Sequence, residues 1–326
     1  MKYVLSALGL CLVGCSSASV EPAPSTVPFN IENYTAEYHD QDRALDNLKT
    51  LSSDEFEGRK TGTEGNRRAM AWIEARLRES GVSPAKKDGY QAPFTAPNFD
   101  APENVIEGTN LVAAIRGTTT PRTALLISAH YDHLGAADGI YNGADDNASG
   151  VAALLETIAW FQDNPPQNSI IFAFFDAEEQ GIVGSSSMVD TLSTTEKENI
   201  AINLNLDMVA RADKGELYAV GGYHFPELIP VIEDVASRAP LKLLRGHETP
   251  DLGIDDWSFA SDHAPFLRSG IRILYLGVED HADYHRPSDE FDKVNPAAFA
   301  RSIDTVIMTA EALDDWVAQE QSDADQ

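Results

Sequence analysis

Histidines and carboxylates gather in this chain just beyond short apolar runs, a placement that suits metal chemistry. Run 123–129 leads to His130-Tyr131-Asp132, and run 169–175 leads to Asp176-Ala177-Glu178-Glu179. Run 201–206 leads to Asp207, and run 271–277 to a loop holding His281, Asp283 and His285. A further element, Gly143-Ala144-Asp145-Asp146-Asn147-Ala148-Ser149-Gly150, precedes a helical pattern. Taken alone it reads as a capped turn, because Asp and Asn are good N-caps. A lone Glu-Glu pair is likewise commonly a solvated doublet. Together the groups say more. Two imidazoles with three carboxylates make a mixed nitrogen and oxygen set suited to zinc, and no cysteine accompanies them as a structural thiolate site would require. Five protein ligands are too many for one open catalytic zinc. They suit two ions sharing a bridging carboxylate, an arrangement that polarises a carbonyl and generates hydroxide near neutral pH.

The elements that must hold these groups are legible as periodicities. Ala69, Trp72, Ile73 and Leu77 mark one face of a helix over roughly 64–80, ended near Gly81. Runs 109–115, 123–129, 169–175, 201–206 and 271–277 are short and apolar, as expected for strands buried on both faces. Between them, Val151, Leu154, Leu155, Ile158 and Phe161 have helical spacing, as do Phe299, Ile303, Val306, Ile307 and Ala310. Strands alternating with helices predict an α/β fold whose mixed, mostly parallel central sheet carries helices on both faces. In such sheets ligand sites form beyond the carboxyl ends of the strands, where the polar groups fall.

At these residues the chain resembles the co-catalytic zinc exopeptidases, a family that includes bacterial leucyl aminopeptidase and glutamate carboxypeptidase. The likeness spans roughly residues 45–310. It takes in the stretch from Leu51 through Gly58-Arg59, then Gly62-Thr63-Glu64-Gly65, Ser261-Asp262-His263 and the closing Tyr284-His285-Arg286-Pro287-Ser288-Asp289. The resemblance implies two Zn2+ ions per chain. His130 and Asp207 would complete one site, Glu179 and His285 the other, with Asp145 bridging and the Asp145–Asp146 peptide cis. Glu178 would be the general base, taking a proton from a bridging water and returning it to the leaving amine. Asp132 and Asp289 would orient His130 and His285 through their other ring nitrogens. Tyr284 would support the scissile carbonyl or its oxyanion, and His263 would shape the cleft or pack within it. His281 and Asp283 are loop residues in this reading.

The implied activity is release of N-terminal residues from peptides. A carboxypeptidase or dipeptidase of the same family is the first alternative, since Arg211, Arg245, Arg268 and Arg286 could grip a terminal carboxylate. A glutaminyl cyclase-like enzyme with one zinc, or a non-catalytic binding module on the same fold, comes after it. The presence of His130 and Glu178 speaks against both.

Composition sets the outer limits. The apolar share of 43% is ordinary for a globular protein of 326 residues. The 24 basic against 52 acidic residues give a formal charge of -28, which repels nucleic acid and anionic membrane. Lys2 and the apolar stretch 4–13 read as an export signal too short to span a bilayer. Leu12-Val13-Gly14-Cys15 resembles the lipobox of bacterial lipoproteins. Residues 1–14 are thus expected to be a lipoprotein signal peptide, and 15–33 a lipid-anchor cysteine and Ser/Pro/Ala-rich tether. Residues 34–320 would be the catalytic domain and 321–326 an acidic tail. The expected location is the bacterial cell envelope, outside the cytoplasm, with membrane contact only through Cys15.

Overall fold

The computed structural model describes residues 33–98, 101 and 104–324. The export signal, the lipobox with Cys15 and the tether up to residue 32 lie outside the described residues. Eleven strands occur among the described residues: β1 (Ser83–Pro84), β2 (Gln91–Pro97), β3 (Val105–Ile115), β4 (Thr120–His130), β5 (Gly135–Ala136), β6 (Ile140–Tyr141), β7 (Asn168–Phe175), β8 (Ile200–Leu206), β9 (Glu216–Val220), β10 (Lys242–Arg245) and β11 (Arg272–Gly277). The α-helices are α1 (Gln41–Leu51), α2 (Glu64–Ser80), α3 (Gly150–Asp163), α4 (Val183–Thr191), α5 (Thr194–Asn199), α6 (Ile229–Arg238), α7 (Ala264–Arg268) and α8 (Pro296–Ala324).

Nine strands form one sheet in the order β1-β3-β7-β4-β8-β11-β9-β10, with β2 also paired to β3; β5 and β6 form a separate hairpin. The central strands β7, β4, β8 and β11 are parallel. Antiparallel pairings join β3 to β7 and β9 to β11. The sheet is therefore mixed, with its parallel part in the middle. Register matters most here. His130 pairs with Phe175, Ser128 with Asn205, and Leu206 with Leu276, so four strand ends finish nearly level.

Alternation along β4 explains the layering, since successive side chains leave opposite faces of a strand. Leu125, Ile127 and Ala129 join the larger core with α1, α2, α3, α6 and α8. Leu126 joins a second core with Phe175, Val189, Phe266 and Ile273. Helix α3 is buried almost all round, as suits a helix with no polar stripe lying between the sheet and other helices. Thr63 caps α2 by accepting from the Asn66 N–H, and Gly81 ends it at φ 76°.

Helix α8 continues to Ala324, so residues 321–324, expected in an acidic tail, are helical. Its Asp314 accepts from the N–H groups of Gln167 and Asn168 at 2.7 and 2.9 Å, where β7 begins. Among the described residues no helix is long and apolar enough to cross a membrane.

Candidate metal centre

The level strand ends deliver the site. His130 is the last residue of β4, and Asp207 directly follows β8. The His130 Nε2 lies 3.3 Å from Asp207 Oδ1 and 3.4 Å from Asp146 Oδ1. The other oxygen of Asp146 lies 3.1 Å from His285 Nε2 and 3.7 Å from His133 Nδ1. Glu179 closes the second group: its Oε2 is 3.3 Å from His285 Nε2, and its Oε1 is 2.6 Å from His133 Nδ1. Two sets, His130/Asp146/Asp207 and His133/Asp146/Glu179, hold their donor atoms within 4.8 Å of one another. Asp146 belongs to both. Imidazoles and carboxylates of this kind, gathered in two groups about one shared carboxylate, fit a pair of divalent ions.

The shared aspartate is one residue later than the sequence suggested. Asp145, expected to bridge, turns away: its Oδ1 accepts from the Ala210 and Arg211 N–H groups, and its Oδ2 meets His281 Nε2 at 3.1 Å. The cis peptide is Asp146–Asn147, not Asp145–Asp146. The cause is local backbone. Asp146 and Asn147 are non-helical, at φ/ψ −103/98° and −127/42°, so the doublet's two carboxylates diverge. Asn147 holds the turn by donating from Nδ2 to the Leu206 carbonyl and accepting the Gly150 N–H. Gly150 permits this approach, because a Cβ there would lie 2.4 Å from Asn147 Oδ1.

Asp289 also has a different partner. Its carboxylate accepts from the N–H groups of Asp145 and Asp146 at 3.0–3.1 Å and orients that loop, with no hydrogen bond to His285. Burial, with Asp145 close by, pushes Asp289 up to about 6. Asp132 presents its backbone carbonyl to His130 Nδ1 at 3.2 Å, its carboxylate standing at 3.7 Å. That carboxylate accepts from the Glu178 and Glu179 N–H groups, tying the histidine loop to the glutamate pair. His133 is a site residue that sequence reasoning missed. Its only signal was a second histidine three residues after His130.

Glu178 is half-buried beside the cluster. Burial raises its carboxyl well above the usual range, with Asp262, Asp207 and Glu179 adding to the rise against His130. Burial likewise pushes Asp262 up to about 7. Asp146 has the opposite balance: burial pushes it up, but His133, His130 and His285 hold it well below its ordinary value. Three residues at the strand-to-loop turns have positive φ: Ala177 before Glu178, Met208 after Asp207, and His285 itself. Non-glycine residues seldom adopt this conformation, and it clusters at functional turns.

Tyr284 stacks on His285 with ring centroids 3.9 Å apart, and burial pushes its phenol well up. Behind the cluster stands an aromatic layer. His247 stacks on Trp257 at 3.7 Å, Tyr218 meets both edge-on, and Trp257 meets Tyr275. His263 is fully buried there, against Tyr275 and bonded through Nε2 to the Trp257 carbonyl, so it supports the layer by packing. Tyr275 joins layer to cluster by donating to the Asp207 carbonyl at 3.2 Å. His281 and Asp283 stay outside the cluster; Asp283 pairs with Arg211 at 2.9 Å.

The fold and these side chains define an α/β protein with a candidate metal centre at the carboxyl ends of its parallel strands. The chain belongs to Peptidase family M28, which matches residues 110–310. An aminopeptidase of Pseudomonas aeruginosa is 34% identical over 177 residues, covering 52% of this chain and 31% of that protein. The chain thus spans less than a third of that relative's length. Among solved structures, a zinc aminopeptidase from Bacillus subtilis superposes with a TM-score of 0.64 at 17% identity, covering 85% of this chain and 96% of that one. A glutaminyl cyclase of Porphyromonas gingivalis gives 0.67 at 21% identity, covering 84% and 99%. At such identities the structural likeness establishes the fold they share.

Proposed function

We propose that this chain is a zinc-dependent exopeptidase that releases N-terminal residues from peptides. The observation that carries this reading is Asp146, whose two oxygens face separate donor groups, His130 with Asp207 on one side and His285 with Glu179 on the other. Two Zn2+ ions would be held by these residues, with His133, whose Nδ1 lies 2.6 Å from Glu179 Oε1, a further donor in the second group. Zinc, when bound, acts as a Lewis acid toward a scissile carbonyl and lowers the pKa of water. Glu178 is the general base: its burial suits a carboxyl that takes a proton from the attacking water and returns it to the leaving amine. Asp132 aims it, because the same carboxylate that fixes the Glu178 N–H also fixes that of Glu179.

Specificity for a free amino terminus follows from charge. The carboxylates of Glu178, Asp262, Asp207 and Glu179 act on one another and suit an ammonium group, and Arg211, a candidate grip for a terminal carboxylate, is committed to Asp213 and Asp283. The names of relatives agree with an aminopeptidase. Tyr284, stacked on His285, is placed to donate to the scissile oxygen. Lys2, the apolar stretch 4–13 and Cys15 further support export and lipid anchoring of a domain beginning near residue 34.

The test is hydrolysis of aminoacyl-anilides and N-blocked peptides by the purified protein, with metal counted alongside. Cleavage of free-amine substrates alone, lost with chelator and restored by zinc at two ions per chain, is expected. Cyclisation of N-terminal glutamine by a one-zinc protein would replace this reading with that of a glutaminyl cyclase.

A further inference from the structure

The stretch ending in Gly58-Arg59 lies upstream of every candidate ligand, yet Arg59 reaches the centre. Its side chain is fully buried and is among the largest so enclosed. Burying a guanidinium is costly unless its donors are satisfied. Here they are satisfied by main-chain carbonyls. Nε donates to Tyr131 O at 2.9 Å; Nη1 donates to Leu51 O at 2.8 Å and Asn142 O at 2.6 Å; Nη2 donates to Gly143 O at 3.0 Å, with Asp146 O at a long 3.5 Å. Among the described residues no carboxylate pairs with it directly. Burial pushes Arg59 down to about 10, while Asp146, Asp289, Asp132 and Glu179 favour its charge through space. Its neighbour Gly58, at φ 67°, lets the turn close on the β5–β6 hairpin, since a Cβ there would lie 2.4 Å from Gly135 O.

All of these partners but Leu51, the last residue of α1, come from the segments that present the ligands. Tyr131 lies between His130 and Asp132, while Asn142 and Gly143 lead into Asp146. We propose that Arg59 is a positioning residue that fastens the His130–His133 segment to the Asp146 loop and so preorganises the metal centre before any ion binds. This rests on the metal-centre reading given above. The rigid fork of five donors is what the task needs; a lysine ammonium, with three donors from one point, cannot reach the same carbonyls together.

The experiment compares the full chain with Arg59→Lys and Arg59→Gln. Zinc affinity is measured by chelator competition, and melting temperature is measured with and without zinc. Both variants are expected to bind zinc about 10–100-fold more weakly, the range for supporting residues of metal sites, and lysine is expected to rescue little. The stabilisation zinc confers by linkage should shrink with that affinity. If Arg59 serves the fold alone, zinc affinity will be unchanged and both melting temperatures will fall in parallel, which overturns the proposal. If the wild type itself binds no zinc, the metal-centre reading fails and takes the proposal with it. Amide exchange in the wild type decides the matter even where the variants do not fold. Segments 131–133 and 142–147 should be protected without zinc as well as with it, and free exchange in the zinc-free protein would overturn the proposal.

Discussion

The metal centre and the aromatic layer behind it both bury histidines, and they treat them in opposite ways. Burial disfavours the charged ring in each place. At His130 it is outweighed by Asp207 and Glu178, and the ring is held well above its ordinary pKa. At His263 burial pushes the ring down to about 4, with His224 and Arg268 adding to the fall against the Trp257 and Ser258 backbone bonds. One residue type thus becomes a partner for charge in one region and a neutral packing element in the other. The difference lies in counter-charge, not in depth. The same lesson holds at closer range within the centre. Asp145 and Asp146 are adjacent and buried, but one braces the chain at Ala210 while the other faces three histidines.

The contrast can be broken most forcefully at Glu178. Glu178→Gln should lower kcat by about 10²–10⁴-fold with metal content unchanged, because only proton transfer is removed. Turnover near that of the wild type would mean the cluster carries no base at that position. Next comes the acidic doublet. Asp146→Asn should cost more zinc affinity than the roughly 10–100-fold typical of outer partners, whereas Asp145→Asn should stay within that range or below it. Metal analysis of the two purified variants would reverse the assignment if Asp145→Asn were the emptier protein.

The aromatic layer makes a prediction about pH. His263 has its folded pKa depressed, so its contribution to stability is present above the ordinary value of 6.5 and is lost as pH falls toward 4. In zinc-free protein His263→Phe should therefore remove up to about 3 kcal/mol of the stability difference between pH 7 and pH 4. Urea unfolding at both pH values, wild type against variant, measures it; equal slopes would refute the neutral assignment. A smaller effect than that of Asp146→Asn belongs to Asp289→Asn, which loosens the Asp146 loop without removing a donor. It should weaken zinc binding by roughly 10–100-fold with KM little changed, as titration and steady-state kinetics would show.

Much of the scaffold was legible because its central strands are buried on both faces. Such strands are short apolar runs with chemistry at their ends, and runs such as 123–129 and 201–206 fall within β4 and β8. The short or exposed strands toward the edges were harder. Strands β9 and β10 are short and partly exposed, and strand β2 alternates exposed with half-buried residues. Within the site, residues on regular strand ends, His130 and Asp207, lie where the pattern put them. Those on irregular backbone do not follow from spacing. Which aspartate of the doublet faces inward depends on the φ/ψ of Asp146 and Asn147, and Asp289's choice of backbone N–H over an imidazole depends on how its loop folds back. His133 is invisible for the same reason: only the turn after β4 brings it to Glu179.

Helix α8 leaves the vicinity of Asp289 and travels about 43 Å at 1.5 Å per residue, pinned by Asp314 to the start of β7 rather than its end. Its last turns therefore emerge on the side of the sheet remote from the cleft. Glu320 in those last turns pairs with Arg272 at the start of β11, so a surface linkage or fused cargo joined there would sit at the opposite strand ends from the ligand cluster, a natural handle for immobilising the protein.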